Sequence, residues 1–125
     1  MLVEFDSDKP IYIQLAEGLE DAILKEGFPE ETQIPSTTEL SVVCKINPAT
    51  ALKGINMLVD DEIVYKKRGI GMFVCAGAKK RILDKRKRVF YESYILSLIS
   101  EAEKLGIGKE VITEMVERGY ENELY

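Results

Sequence analysis

Apolar positions recur at a helical period along most of this chain and at a strand period only in one short stretch near its middle. Near the start, Tyr12, Leu15, Ala16, Leu19, Ala22 and Ile23 form one stripe, as in a helix lying on a core. Asp8 stands where it can cap that helix, which begins near Pro10. Glu17, Glu20 and Asp21 fall on its solvated side. Gly27-Phe28-Pro29 ends it, residues 30–33 read as a loop, and residues 1–8 read as a loose or strand-like arm.

Ser36 and Glu39 have the spacing of a capping box and open a second helix, with Leu40, Val43 and Cys44 on one face. Lys45-Ile46 is a short turn. Asn47-Pro48 is another helix start: Asn offers a side-chain acceptor, and Pro is tolerated at the first helical position. In the helix that follows, Ala51, Ile55, Leu58 and Val59 face one way and Ala49, Lys53 and Asn56 the other, until Asp60-Asp61-Glu62 ends it. Ile63-Val64-Tyr65 and Met72-Phe73-Val74 are β-prone runs. Between them lies Lys66-Lys67-Arg68-Gly69-Ile70-Gly71, whose glycines allow a tight or left-handed turn. Helix, turn, helix and basic hairpin make a shape that puts one helix in a DNA major groove.

Ala76-Gly77-Ala78 reads as a linker. Residues 79–88 carry seven bases and one acid, and read as a solvated helix face or hinge, or as a DNA backbone contact beside the wing. Tyr91, Ile95, Leu98, Ala102 and Leu105 then follow a coiled-coil-like seam, broadened by Tyr94 and Ile99. Gly106-Ile107-Gly108 breaks that helix. Val111, Ile112, Met115 and Val116 mark a short further one that ends near Gly119. Two such helices cannot bury these faces alone. They pack on the first domain or on a second copy, and a DNA reader that needs two half-sites favours the second copy. The dimerisation residues are then Tyr91, Tyr94, Ile95, Leu98, Ile99, Ala102, Leu105, Ile112 and Met115. The expected fold class is mainly α with a small β wing: a winged helix-turn-helix over residues 1–77 and a short two-helix dimerisation segment over 78–125.

Composition narrows the reading. With 46% apolar and 31% charged residues, the 125-residue chain falls among soluble globular proteins, with one core or one core and an appendage. No apolar run approaches the roughly 18 residues of a membrane span. The N-terminus lacks the basic and apolar regions of a secretory signal, so a cytoplasmic location is expected. A net charge of −5 would oppose nucleic-acid binding if it were spread evenly. Its distribution is uneven: residues 61–88 hold ten Lys and Arg against three acids, a local basic footprint in an acidic chain.

Catalytic chemistry is absent from the pattern. The chain has no histidine, and its two cysteines, Cys44 and Cys75, lack metal-site spacing. Cys44 lies on an apolar helix face and reads as core. Gly69-Ile70-Gly71 has no following helix and no P-loop lysine, so no nucleotide site is expected. The expectation is a protein without catalytic residues, metal or cofactor.

The order of motifs resembles the winged-helix DNA-binding domain of the GntR family of bacterial transcription regulators. Pro10-Ile11-Tyr12-Ile13-Gln14-Leu15, Ile34-Pro35-Ser36, Asn47-Pro48-Ala49-Thr50 and Gly69-Ile70-Gly71-Met72-Phe73-Val74 match that family's pattern in order and spacing. Asn-Pro at the turn and a short tail after the wing are similar to the YtrA-type subfamily, which dimerises through such a tail and has no large ligand-binding domain there. The chain departs from the pattern at Thr38, where the family commonly has Arg, at Leu52, where basic or polar residues are usual, and at Gly54, where Ala is usual.

The resemblance implies a homodimeric, sequence-specific regulator, a repressor on a palindromic operator in double-stranded DNA, often near genes for membrane transporters, with no effector identified. In that reading Ser36 and Thr38 touch phosphate. Asn47, Ala49, Thr50 and Lys53 lie at or in the major groove. Lys66, Lys67, Arg68, Gly69 and Gly71 form the wing contact. An alternative is a winged-helix protein-interaction module with weakened DNA contacts, which the thin charge of the second motif helix favours. A third reading is a thiol-responsive regulator acting through Cys75.

Overall fold

A computed structural model describes Phe5 and residues 8–124; the expected N-terminal arm lies almost wholly outside the described residues. The elements are α1 (Ile11–Leu24), α2 (Thr37–Cys44), α3 (Pro48–Asp60), β1 (Val64–Lys67), β2 (Gly71–Val74), α4 (Ala78–Phe90), a π-helical turn (Tyr91–Ile95), α5 (Leu96–Lys104) and α6 (Lys109–Tyr120). The chain is mainly helical with a two-stranded antiparallel wing, as the hydrophobic pattern predicts. It divides into two compact units, Met1–Asp84 and Lys85–Tyr125.

The core of the first unit is built from the predicted stripe of α1, where Leu15, Ala16, Leu19 and Ile23 are buried, together with Leu40, Ala51, Ile55 and Leu58 from the next two helices. Glu20, expected on the solvated side, is only 2% exposed. It stands one turn after Ala16, at the edge of an arc wider than the apolar stripe suggests. Val43 and Val59, expected to face inward, are 57% and 37% exposed. On a helix as short as α2 the core covers only the row through Leu40 and Cys44, and on α3 the row through Ala51, Gly54, Ile55 and Leu58. Asp8 is not the cap of α1. The cap position is Pro10, which offers its carbonyl to the amides of Ile13 and Gln14 and has no side-chain bond. The helix ends at Leu24, ahead of Gly27, with Glu26 taking the left-handed conformation at φ 64°.

Gly54 sets how α3 crosses α1. A Cβ there would lie 2.9 Å from the Tyr12 carbonyl oxygen and 3.1 Å from Leu15 Cδ2. The missing side chain lets the two backbones meet.

The segment 30–33 does more than connect. Glu31 N donates to Val74 O (2.8 Å), Val74 N to Thr32 O (2.9 Å) and Ile34 N to Met72 O (2.9 Å), so it pairs along β2 as a short third edge. Ala76-Gly77-Ala78, expected as a linker, is fastened. Ala78 is fully buried at the start of α4. The Glu30 carboxylate accepts from the amides of Gly77 (2.7 Å) and Lys79 (3.2 Å). Arg81 Nη1 donates to the carbonyls of Glu62 (3.0 Å) and Ala76 (2.9 Å). These backbone bonds, first to Gly77 and then to Lys79, hold the Glu30 carboxyl below its usual range.

In the second unit Ala102 is buried and Ile112 and Met115 are half-buried. Tyr91, Tyr94, Ile95, Leu98, Ile99 and Leu105 are exposed in the single chain. A π-helical turn at Tyr91–Ile95 opens the stretch that carries the predicted seam. Gly106, at φ 69°, ends α5 as expected; α6 runs past Gly119 to Tyr120.

Two outcomes follow. Gly54→Ala forces α1 and α3 apart and should cost about 1–3 kcal/mol, read as a lower urea midpoint; unchanged stability would show that the crossing has slack. Glu30 has a lowered carboxyl pKa in the folded state, so its contribution is present above the ordinary carboxylate range and fades as pH falls through the folded pKa. Glu30→Gln should therefore be less stable than wild type at neutral pH, with the gap closing in acid. A gap independent of pH would contradict this.

Candidate nucleic-acid interface

The helix-turn-helix is assembled by caps. Ser36 Oγ accepts from Glu39 N (3.1 Å) while Ser36 N donates to Glu39 Oε1 (3.1 Å), the reciprocal pair that the sequence spacing predicts. After α2 the chain turns on Lys45, left-handed at φ 55°, with Ile46 N bonded to Ser41 O (3.0 Å). Asn47 Oδ1 then accepts from Ala49 N (2.7 Å), and Pro48 occupies the first position of α3. Both helices thus present capped N-termini, whose remaining amides and positive dipole ends suit phosphate.

The wing pairs Val64 with Val74, Tyr65 with Phe73, Lys66 with Met72 and Lys67 with Gly71. Lys66, Lys67 and Gly71 therefore lie in the strands, and the turn itself is Arg68-Gly69-Ile70, closed by Ile70 N to Lys67 O (3.0 Å). Gly69 adopts φ 78°, a conformation that L side chains rarely adopt. Lys67 Nζ lies 4.2 Å from the centroid of the Phe73 ring, which also packs on Tyr65. Lys66 and Arg68 are exposed and make no ion pair among the described residues.

An open groove of about 530 Å³ runs between the start of α2, the outer face of α3 and the wing. It brings together Ser36, Thr38, Lys66 and Gly71 from the expected residues, and adds Gln33, Leu52, Asn56 and Ile70. Gln33 Nε2 donates to Ile70 O (3.2 Å), a link across 37 residues that no local pattern announces. Leu52 and Asn56 sit at helical spacing from Ala49, and that spacing is the signal for them. Asn47 and Ala49 are exposed at the start of α3 and Thr50 is half-buried. Lys53 is exposed, but its ammonium rests 4.1 Å from the centroid of the Tyr12 ring on α1.

Much of the basic run after the wing is engaged. Lys79 pairs with Glu26, Lys80 with Asp84 (2.6 Å), and Arg81 with two carbonyls and Glu62. No group of acids and cysteines among the described residues could hold a metal ion. None of the described helices is long and apolar enough to cross a membrane.

Two capped helices joined by a tight turn, followed by a basic hairpin, define a winged helix-turn-helix regulator. Comparison with known proteins gives the family. A solved transcriptional regulator of the GntR family from Bacteroides thetaiotaomicron shares 35% sequence identity, covering 90% of this chain and 97% of that one, with a TM-score of 0.77. The chain belongs to the GntR family of transcriptional regulators. Two curated Bacillus subtilis relatives agree. The HTH-type transcriptional regulator YhcF is 27% identical over 89% of this chain and 90% of its own length. The HTH-type transcriptional repressor YtrA is 26% identical over 88% and 84%. The DNA-binding domain of AraR, solved in complex with an operator, matches 60% of this chain and 98% of its own at 25% identity, with a TM-score of 0.53. No family model matches the chain. Regulators of this family are not enzymes, in keeping with the expectation from sequence.

Cys75 follows the wing and is half-buried; burial first, and the Glu62 carboxylate beside it, push its thiol up against the opposing pull of Arg81. At neutral pH it should alkylate with iodoacetamide more slowly than free cysteine, and faster as pH rises. A rate equal to or above that of the free thiol would support the thiol-responsive reading.

Proposed function

We propose that two copies of this chain, joined through residues 78–125, bind a palindromic operator and repress transcription. The observation that carries this is the exposed Lys66 and Arg68 of the wing, which make no ion pair among the described residues, with Lys66 lining one groove with the capped start of α2 and with Leu52 and Asn56 of α3. Phosphate binding uses exposed cations together with the amides at helix starts, and the wing and α2 offer both. In this reading Ser36 and Thr38 meet the backbone at the start of α2. Asn47, Ala49 and Thr50 enter the major groove, Lys53 follows once it leaves Tyr12, and Lys66, Lys67, Arg68, Gly69 and Gly71 carry the wing to phosphate or the minor groove. The apolar residues exposed along the second unit, Tyr91, Tyr94, Ile95, Leu98, Ile99 and Leu105, support self-association, since so many exposed apolar side chains on one short segment mark an interaction site. The YtrA relative is a transcriptional repressor, which supports repression. The family resemblance adds that the operator belongs to an operon encoding a membrane transporter.

Mobility shift on the DNA upstream of the protein's own gene, at several salt concentrations, tests this. A retarded species with two chains per duplex should survive random competitor. Arg68→Ala should weaken binding to all sequences alike and lower the salt slope by about one. Binding no tighter than to random DNA, even at low salt, would favour the protein-interaction module.

A further inference from the structure

One outer row of α3 carries no charge, and the exposed Lys53 stands beside it. Ala49, Leu52 and Asn56 follow each other at spacings of three and four, so their side chains stand along one face, and all three are exposed. Leu52 is 49% exposed and lines the groove with Asn56, facing Lys66 and Ile70 of the wing. The core does not require an apolar residue there. The one cation of α3, Lys53, rests over the Tyr12 ring on the α1 side, and the groove lining on α3 does not include it.

Base recognition in the major groove depends on what a row can donate, accept or pack against. Guanine is read chiefly by Arg or Lys at O6 and N7, and this row has neither. An apolar side chain suits the C5 methyl of thymine, and a carboxamide can pair with N6 and N7 of adenine. With a rise of 1.5 Å per residue, Leu52 lies about 6 Å and Asn56 about 12 Å along the axis from Pro48, within the span of a groove about 12 Å wide. We infer that the Leu52–Asn56 row of α3 reads A·T pairs, Leu52 packing on a thymine methyl and Asn56 pairing with an adenine. This rests on the DNA-binding reading above and adds the class of base and the residues that choose it.

The test begins with selection of duplexes from a randomised library by the full chain. In the enriched half-site each thymine is then replaced by deoxyuridine, and each adenine by 7-deazaadenine. Loss of one methyl contact should weaken wild-type binding about fourfold at one position, and loss of the N7 acceptor about tenfold at another. Leu52→Ala should bind thymine and deoxyuridine duplexes equally, and Asn56→Ala should ignore the deaza substitution. A half-site indifferent to every deoxyuridine, a core of G·C pairs, or a Leu52→Ala variant that keeps the wild-type methyl sensitivity would overturn the inference while leaving the regulator in place. No enrichment at all, with only nonspecific retention, would overturn the sequence-specific reading itself, and the apolar row would then be a protein-binding surface.

Discussion

The crossing of α1 and α3 at Gly54 is the constraint on which the DNA-facing geometry depends. With the Tyr12 carbonyl 2.9 Å from where a Cβ would stand, the helices approach at backbone distance. That contact orients α3 about its own axis. It buries Ala51, Ile55 and Leu58 and turns Ala49, Leu52 and Asn56 outward. It also brings Tyr12 under Lys53, so one helix pair sets both the packing and the charge of the reading surface. α2 reaches its place through a left-handed Lys45 rather than a glycine, a cost the neighbouring bonds must offset.

The wing depends on a different support. Its two strands are four residues each, too short to be stable alone. Residues 31–34 extend the sheet along β2, and Gln33 reaches the turn through Ile70 O. Phe73 gathers Tyr65 and the Lys67 ammonium on one ring. The result is a stiff strand pair whose free cations lie at its outer edge.

Much of this was legible in the sequence because it is written locally. Ser36 with Glu39, Asn47 with Pro48, and the glycines of the wing each act within four residues, and each cap or turn stands where the pattern predicts. The α1 stripe likewise gives its own buried face. What the pattern could not show is set by partners distant in sequence. Glu20 and Val59 are wrongly assigned because the width of a buried arc depends on what packs over it. The loop at 30–33 and the presumed linker at 76–78 are both fixed by bonds to the wing region and to each other. Lys53 looks like a free reading-head cation until Tyr12, forty-one residues earlier, is seen beneath it. The residues of the second unit show a seam by spacing, but the π-helical turn at Tyr91–Ile95 leaves no mark in the pattern.

The Glu30 carboxylate has a consequence for the order of assembly. A helix usually finds its cap within three residues and can begin to form alone. The first turn of α4 finds its acceptor 47 and 49 positions upstream, beside the strand that pairs with β2. Closing so long a loop carries an entropy cost that only the finished hairpin repays. The cap of α4 thus exists only where the segment before α2 and the chain after β2 are both in place, and a loosened wing would be felt there as an uncapped helix start.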